Sequence, residues 1–150
     1  LIHGGHLLEA VARAEEAERL SGGDVTLGAD FTRFSPYGAL LANKGQALLY
    51  LGRVDEVPAP LERAEEIGRS RNDPELISMA RVFHAQLRDL LGDGEGAMRF
   101  ARRAVEAAES SDSPQLRVGA YGALGGAHAL AGEWQEAIEA WSLVLRTMRE

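Results

Sequence analysis

Histidines are the residues of this chain best suited to chemistry, because imidazole binds metals and transfers protons near neutral pH. There are four of them, and two, His3 and His6, lie near the N-terminus without an acidic ligand at helical spacing. A zinc site needs three or four converging ligands. The sequence has no cysteine and offers no such set, so we predict no metal site.

Glycine-rich and hydroxyl-rich stretches are the other places where a site could form. The run 92–96 lacks the Lys-Ser/Thr end of a P-loop, and Asp93 with Glu95 lacks the remaining ligands of an EF-hand loop. The run 110–113 is interpreted as a turn and helix cap, because no Ser/His/Asp or Cys/His arrangement can be assembled around it. We therefore predict that the chain is not an enzyme and binds no cofactor.

Composition and charge restrict the class of partner. Ala, Leu, Glu and Arg dominate, which favours helix. The net charge of -7 argues against a nucleic-acid backbone or an anionic membrane as partner. No apolar run approaches the roughly 20 residues of a membrane span. We also predict a cytoplasmic location, which the absence of cysteine suits. Lys44 is the only Lys, a bias typical of GC-rich bacterial genomes, and the missing initiator Met indicates a fragment of a longer protein.

The sequence repeats with a period of 40 residues. Gly52, Gly92 and Gly132 occupy equivalent turns (92 − 52 = 40; 132 − 92 = 40), and Pro74 recurs as Pro114 at the same spacing. Small or apolar residues follow each of these glycines at offsets of five, nine and twelve. Such a period indicates one supersecondary unit per repeat, stacked on its neighbours.

We interpret each unit as two helices that meet at the repeated glycine. A proline begins the first helix, Asp73 or Ser113 is its expected N-cap, and the glycine ends it in a left-handed conformation. The predicted helices cover residues 7–19, 37–51, 57–70, 74–90, 94–110, 114–131 and 133–149. We therefore predict one all-α repeat domain over residues 1–150, with an orphan helix at 7–19 followed by repeats at 37–70, 74–110 and 114–149.

Two segments depart from the repeat. Pro58 and Pro60 predict that the helix beginning near residue 57 starts late or kinks. The glycine spacing grows from 40 to 47 across segment 21–36 (52 − 5 = 47), which we interpret as a loop anchored by apolar residues including Phe31 and Phe34. This loop either carries function or is an irregular connection.

The last repeat resembles the tetratricopeptide (TPR) family, and the resemblance covers nearly the whole chain. The matching positions of the last repeat are Leu124-Gly125, His128, Gly132, Trp134, Ala137, Trp141 and Val144. His84-Ala85 and Lys44-Gly45 stand at the Leu-Gly position of the other two repeats. The resemblance implies a right-handed α-solenoid of about seven helices in antiparallel pairs, and it places His84 and His128 at buried, hydrogen-bonded packing positions. The Ala- and Arg-rich texture also resembles helical arms of bacterial nucleotide cyclases and ATPase-linked transcription activators.

The resemblance further implies that the first helix of each pair lines a concave face. The candidate partner-binding residues on that face are Asn43, Gln46, Tyr50, Phe83, Gln86 and Asp89. Their amides could bind an extended peptide and their rings could supply apolar contact. In the third repeat the concave positions are Gly119, Gly122, Ala123, Gly126, Ala129 and Leu130, with room for a bulky element such as a helix. Any one of these residues could instead face solvent or pack between helices. Gly122, Gly125 and Gly126 are also expected to permit close helix packing.

Three functions remain open at this point. The main hypothesis is a non-catalytic interaction module, within a larger bacterial signalling or regulatory protein, that binds a protein, a peptide segment or another domain of the parent chain. The second is a small-molecule sensor with its ligand near Asn43, Gln46, Tyr50 and Phe83. The third is self-association as a homodimer through apolar faces at the ends of the repeat array.

Overall fold

The computed structural model describes residues 4–27, 35–111 and 113–149, and within them it contains seven α-helices and no strand. The all-α prediction with seven helices is confirmed for this part of the chain, and each helix begins and ends within two residues of its predicted bounds. The helices are α1 (Leu7–Ser21), α2 (Pro36–Tyr50), α3 (Pro58–Arg71), α4 (Pro74–Leu90), α5 (Gly94–Glu109), α6 (Pro114–Leu130) and α7 (Trp134–Thr147). None of the described helices is long and apolar enough to cross a bilayer. The solenoid arrangement and the single repeat domain stay predictions.

The chain divides into two compact units, Leu1–Leu76 and Ile77–Glu150, which are described separately. In the first unit, α2 packs against both α1 and α3. Gly45 of α2 lies beneath Leu61 of α3, so closely that a Cβ atom on Gly45 would stand 2.4 Å from the Leu61 Cδ2 atom. An ion pair of 2.5 Å joins Lys44 to Glu18 of α1. A small residue therefore sets the separation of α2 and α3, and a partly buried pair fixes α1.

In the second unit, α5 and α7 both pack against α6. The core is built from small residues, since Ala85, Ala97, Ala101 and Ala127 form one buried cluster. Gly125 of α6 lies beneath the Trp141 ring of α7, whose Nε1 atom would be 2.3 Å from a Cβ at that position. Small core residues allow the helices of this unit to approach closely.

The repeated glycines take the predicted left-handed conformation. Gly52, Gly92 and Gly132 have φ values of 72°, 72° and 77°. In each turn the N–H of the next residue donates to the carbonyl five residues earlier: Arg53 to Leu48, Asp93 to Arg88 and Glu133 to His128. This is the hydrogen bonding of a Schellman C-cap, and it satisfies a carbonyl at the end of each first helix.

Both expected N-cap residues are found at the starts of their helices. Asp73 accepts a 3.0 Å bond from the Leu76 N–H and caps α4 as predicted. Ser113 is the N-cap residue of α6 as predicted, with an extended backbone, although its hydroxyl accepts no bond from that helix. Ser35 and Asp93, which we did not predict as caps, accept bonds from Gly38 and Gly96.

Helix α3 starts late in its repeat, at Pro58, as predicted. Helix α5 begins two residues after its glycine (94 − 92 = 2), whereas α3 begins six residues after Gly52 (58 − 52 = 6). A short 3-10 helix, Val54–Glu56, lies in the longer connection between Gly52 and Pro58. A proline at the first helical position provides no N–H but needs none there, so α3 starts at Pro58 without losing a hydrogen bond. In the irregular segment 21–36, the anchors Phe31 and Phe34 lie outside the described residues.

Candidate functional site: a groove between α4 and α6

Three of the candidate partner-binding residues lie on α2 in the first unit. Asn43 is exposed, and its Nδ2 atom donates to the Ala39 carbonyl at 2.8 Å. Gln46 donates to the Tyr50 hydroxyl at 3.2 Å, and the Tyr50 ring is 54 % exposed. The side-chain amides of Asn43 and Gln46 therefore both donate hydrogen bonds within α2. The exposed ring of Tyr50 is the surface that this helix offers to a partner.

The other three candidates lie on α4 in the second unit, with different surroundings. Phe83 is only 8 % exposed, so its ring packs inside the unit and offers little surface to a partner. The alternative interpretation, packing between helices, fits this residue. Gln86 is half-buried and Asp89 is exposed. Because Gln86 and Asp89 lie three positions apart on a helix, they share one face of α4.

Gln86 and Asp89 line a groove of about 360 Å³ between α4 and α6. The other lining residues are Ala85 from α4 and Val118, Gly119, Gly122, Ala123 and Gly126 from α6. Six of these eight residues are positions that the family resemblance had placed on the concave face. Sequence analysis missed Ala85 and Val118, although each is the chain neighbour of a predicted lining residue. We refer to this feature as the α4/α6 groove.

The glycines of the groove correct one expectation from the sequence. Gly125 does allow close packing, against Trp141, but Gly122 and Gly126 do not. A Cβ atom at either of these two positions would meet no described atom within 4 Å. They face the groove, one turn apart, and leave the α6 backbone bare on that side. Glycine in a helix interior costs about 1 kcal/mol relative to alanine, and no contact among the described residues offsets that cost here.

The polar atoms of the groove are hydrogen-bond acceptors. The Gln86 Oε1 atom is buried and has no hydrogen-bond partner among the described residues. Asp89 adds a carboxylate, which accepts hydrogen bonds and carries negative charge. An acceptor that is sheltered from water and lacks a donor is destabilising, so rotation of the Gln86 amide toward a donor on a binding partner would be stabilising.

A larger groove of about 780 Å³ lies beside α5, also in the second unit. Apolar and glycine residues line it together with three arginines and three glutamates. The charged residues are Arg99, Arg102, Arg103, Glu95, Glu106 and Glu133. The opposite charges balance in number, so the surface selects neither an anion nor a cation. The spacing of the arginines on α5 was the signal for this groove in the sequence, and sequence analysis did not identify it.

Displaced pKa values lie outside the α4/α6 groove and reflect local pairs. A hydrogen bond from the Thr26 hydroxyl lowers the pKa of Asp24. The hydrogen bonds between Arg53 and Glu56 raise the pKa of Arg53 and lower the pKa of Glu56. The Glu109 carboxylate, which accepts from the Tyr121 hydroxyl, raises the pKa of that tyrosine. Each pair is a structural contact between near neighbours or adjacent helices.

His84 and His128 hold structural positions. His84 is buried and stacks on Phe100 of α5, with ring centroids 4.6 Å apart. The Nδ1 atom of His128 lies 2.6 Å from a Glu133 carboxylate oxygen at the end of α6. Among the residues in the described ranges, no three His, Asp or Glu side chains converge on one point.

Comparison with known proteins adds no relative. No protein-family model matches the sequence, and no similar curated protein or solved structure is found.

Proposed function

We propose that this chain is a non-catalytic, TPR-like interaction module that holds a protein or peptide segment in the α4/α6 groove. The observation that carries the proposal is a groove lined by glycines that no packing explains. A segment lying over Gly122 and Gly126 can approach the helix backbone more closely than over any other residue type. The second support is Gln86, whose sheltered Oε1 atom lacks a donor among the described residues.

Repeated packing pairs support the resemblance to TPR proteins. Gly45 lies beneath Leu61, and Gly125 lies beneath Trp141, two periods further along (125 − 45 = 80; 141 − 61 = 80). The middle repeat has Ala85 and Ala101 at these positions, within one buried cluster. One packing pair recurring at the same offset is expected of a helical repeat. We infer from this recurrence that the helix pairs are repeats of a right-handed α-solenoid.

The order of contacts between α4 and α5 supports antiparallel pairs. Ser78, early in α4, donates to the Ala104 carbonyl late in α5 at 3.0 Å. His84, further along α4, stacks on Phe100, which lies earlier in α5. The contacts therefore advance along one helix while they recede along the other, as in a helix hairpin.

The chemistry of the groove favours a partner segment that donates hydrogen bonds. Gln86 Oε1 and the Asp89 carboxylate are both acceptors, so N–H groups of a peptide backbone or a Lys or Arg side chain complement them. The side chains of Val118 and Ala123 in the same lining add apolar contact area. We infer a segment that carries a basic residue beside an apolar one.

Selection from a random displayed peptide library tests the proposal. We expect peptides enriched in Arg or Lys next to an apolar residue, and measurable saturable binding of a synthetic peptide in a titration. Gln86→Ala should weaken that binding, and so should Gly122→Leu, whose side chain fills the groove. Gln135→Ala is the matched control, because Gln135 is an exposed glutamine on α7. If binding survives both groove changes, or if no peptide is selected, the proposal fails.

The alternative of a small-molecule sensor near Asn43, Gln46, Tyr50 and Phe83 gains no support from these residues. The amides of Asn43 and Gln46 are bonded within α2, and Phe83 is buried. Membership of a larger bacterial regulatory protein and a cytoplasmic location stay predictions.

A further inference from the structure

Helix α7 leaves a continuous row of large apolar side chains exposed. Their exposed fractions are 65, 56, 41, 58 and 69 %, for Trp134, Ile138, Trp141, Leu145 and Met148 respectively. We refer to these five residues as the α7 stripe. Two tryptophans in one exposed row are unusual on a soluble surface, where large contiguous apolar patches mark sites of interaction.

The spacing of the α7 stripe is that of a coiled-coil seam. Successive members are four, three, four and three residues apart (138 − 134 = 4; 141 − 138 = 3; 145 − 141 = 4; 148 − 145 = 3). This is the 3.5-residue repeat that keeps one face of a helix against a partner helix. The end positions 134 and 148 lie equally far from Trp141, and positions 138 and 145 lie three and four residues from it. A second copy of the same helix in the opposite direction therefore presents the same alternation of three- and four-residue steps.

Helix α5 indicates which kind of occupant fits. The positions 40 residues before the stripe are mostly small: Gly94, Met98, Ala101, Val105 and Ala108. That helix packs closely against α6, and a Cβ on Gly94 would lie 3.8 Å from Leu130. Trp134, Trp141 and Met148 stand where α5 has Gly94, Ala101 and Ala108, so large residues replace small ones. Such side chains hold a neighbouring helix further away, so the stripe is suited to a helix that also presents large residues.

Charge along α7 selects the direction of the second helix. The first half of the helix and its cap carry Glu133, Glu136 and Glu139, whereas the second half carries Arg146 and is followed by Arg149. Antiparallel packing sets the acidic half of each helix beside the basic half of the other and opposes the helix dipoles. Parallel packing would bring like charges together.

We propose that the chain forms a two-fold symmetric homodimer in which two copies of α7 pack antiparallel through the α7 stripe. The occupant of the stripe is thus a second copy of this chain. The contact is isologous, with Trp141 nearest the two-fold axis and Trp134 of one copy near Met148 of the other. This interface is separate from the α4/α6 groove, so either proposal can fail without the other.

Sedimentation equilibrium from micromolar to millimolar concentration tests the dimer. We expect the wild-type mass to rise to that of two chains and no further. The double variant Ile138→Glu, Leu145→Glu should raise the dimer dissociation constant by at least about thirtyfold, as loss of central apolar contacts does. Leu20→Glu is the matched control, since Leu20 is 71 % exposed on α1 in the other unit. A wild-type monomer at millimolar concentration, a larger assembly, or a dimer unaffected by the double variant would overturn the proposal.

Cross-linking tests the antiparallel direction independently of those variants. The chain has no cysteine, so single-cysteine variants report on one position each. Ser142 lies next to the axis, and a short bismaleimide should join two copies of Ser142→Cys. In Gln135→Cys the two thiols would lie about 18 Å apart along the helices, given 12 residues (2 × (141 − 135) = 12) at 1.5 Å each, and should not be joined. Equal cross-linking of both variants would indicate parallel helices and overturn the assigned direction.

Discussion

The two open glycines of α6 lead to a prediction in which stability and binding change in opposite directions. Replacing Gly122 and Gly126 by alanine places two methyl groups in space that no described atom occupies within 4 Å. Alanine is more favourable than glycine in a helix interior by about 1 kcal/mol. Because neither methyl group meets a neighbour, the double variant should unfold with a free energy raised by about 2 kcal/mol.

Urea unfolding followed by circular dichroism measures this change. With a slope of about 1–3 kcal/mol per molar urea, a gain of about 2 kcal/mol raises the midpoint by about 1 M. Gly125→Ala in the same helix is the matched control. It gains the same helix propensity, but its methyl group collides with the Trp141 ring at 2.3 Å. The ring must move from its site, so this variant should be destabilised by about 1–3 kcal/mol.

The same double variant should bind a selected groove peptide more weakly, because its methyl groups hold the segment away from the α6 backbone. A stabler protein with lower affinity would locate the function in the α4/α6 groove and explain why glycine is present there. If Gly122→Ala and Gly126→Ala destabilise the fold, those positions are packed and the groove is not open. Equal affinity in the stabilised variant would refute close approach to the backbone.

Three further predictions concern the fold. Ser35→Ala should cost about 1–2 kcal/mol in urea unfolding, because it removes the buried cap bond to Gly38, whereas Ser113→Ala should cost almost nothing since its hydroxyl caps no N–H. Gly92→Ala should cost about 1–2 kcal/mol because its φ is 72°, while Gly94→Ala, at a position without positive φ, should be close to neutral. In an ultraviolet titration one of the three tyrosines should ionise at higher pH, and Glu109→Ala should remove that step. The raised pKa of Tyr121 means that its contribution to stability is present below the unfolded pKa of about 10 and is lost as pH rises through the folded pKa.

The helices were predictable because their signals are local. Pro74 and Pro114 begin helices, and the glycines at 52, 92 and 132 end them, through the fixed φ of proline and the tolerance of glycine for positive φ. The late start of α3 follows from Pro58 for the same reason. Each of these effects depends on one residue and its immediate neighbours, so the sequence contains all the information needed.

The α7 stripe was harder to recognise, because burial depends on which helices are present. The repeat offsets assign Ala137, Trp141 and Val144 to the inner face of the last helix, as Ala97, Ala101 and Ala104 are assigned in α5. Ala137 is indeed buried, yet Trp141 remains 41 % exposed. Its ring covers Gly125 on one side, and no described helix covers the other. A repeat pattern therefore identifies the packing face of a helix and leaves open how much of that face is covered.

The glycines of α6 explain why the candidate site could be only partly predicted. Gly122, Gly125 and Gly126 lie within five residues of each other, and all three suggest close packing when only the sequence is considered. Their roles differ because successive residues of a helix point about 100° apart. Gly125 points at a ring sixteen residues further along the chain (141 − 125 = 16), whereas its neighbour Gly126 points into the open groove. Packing is thus decided by the partner helix, and a glycine that packs against nothing within its own fold is available for contact with another molecule.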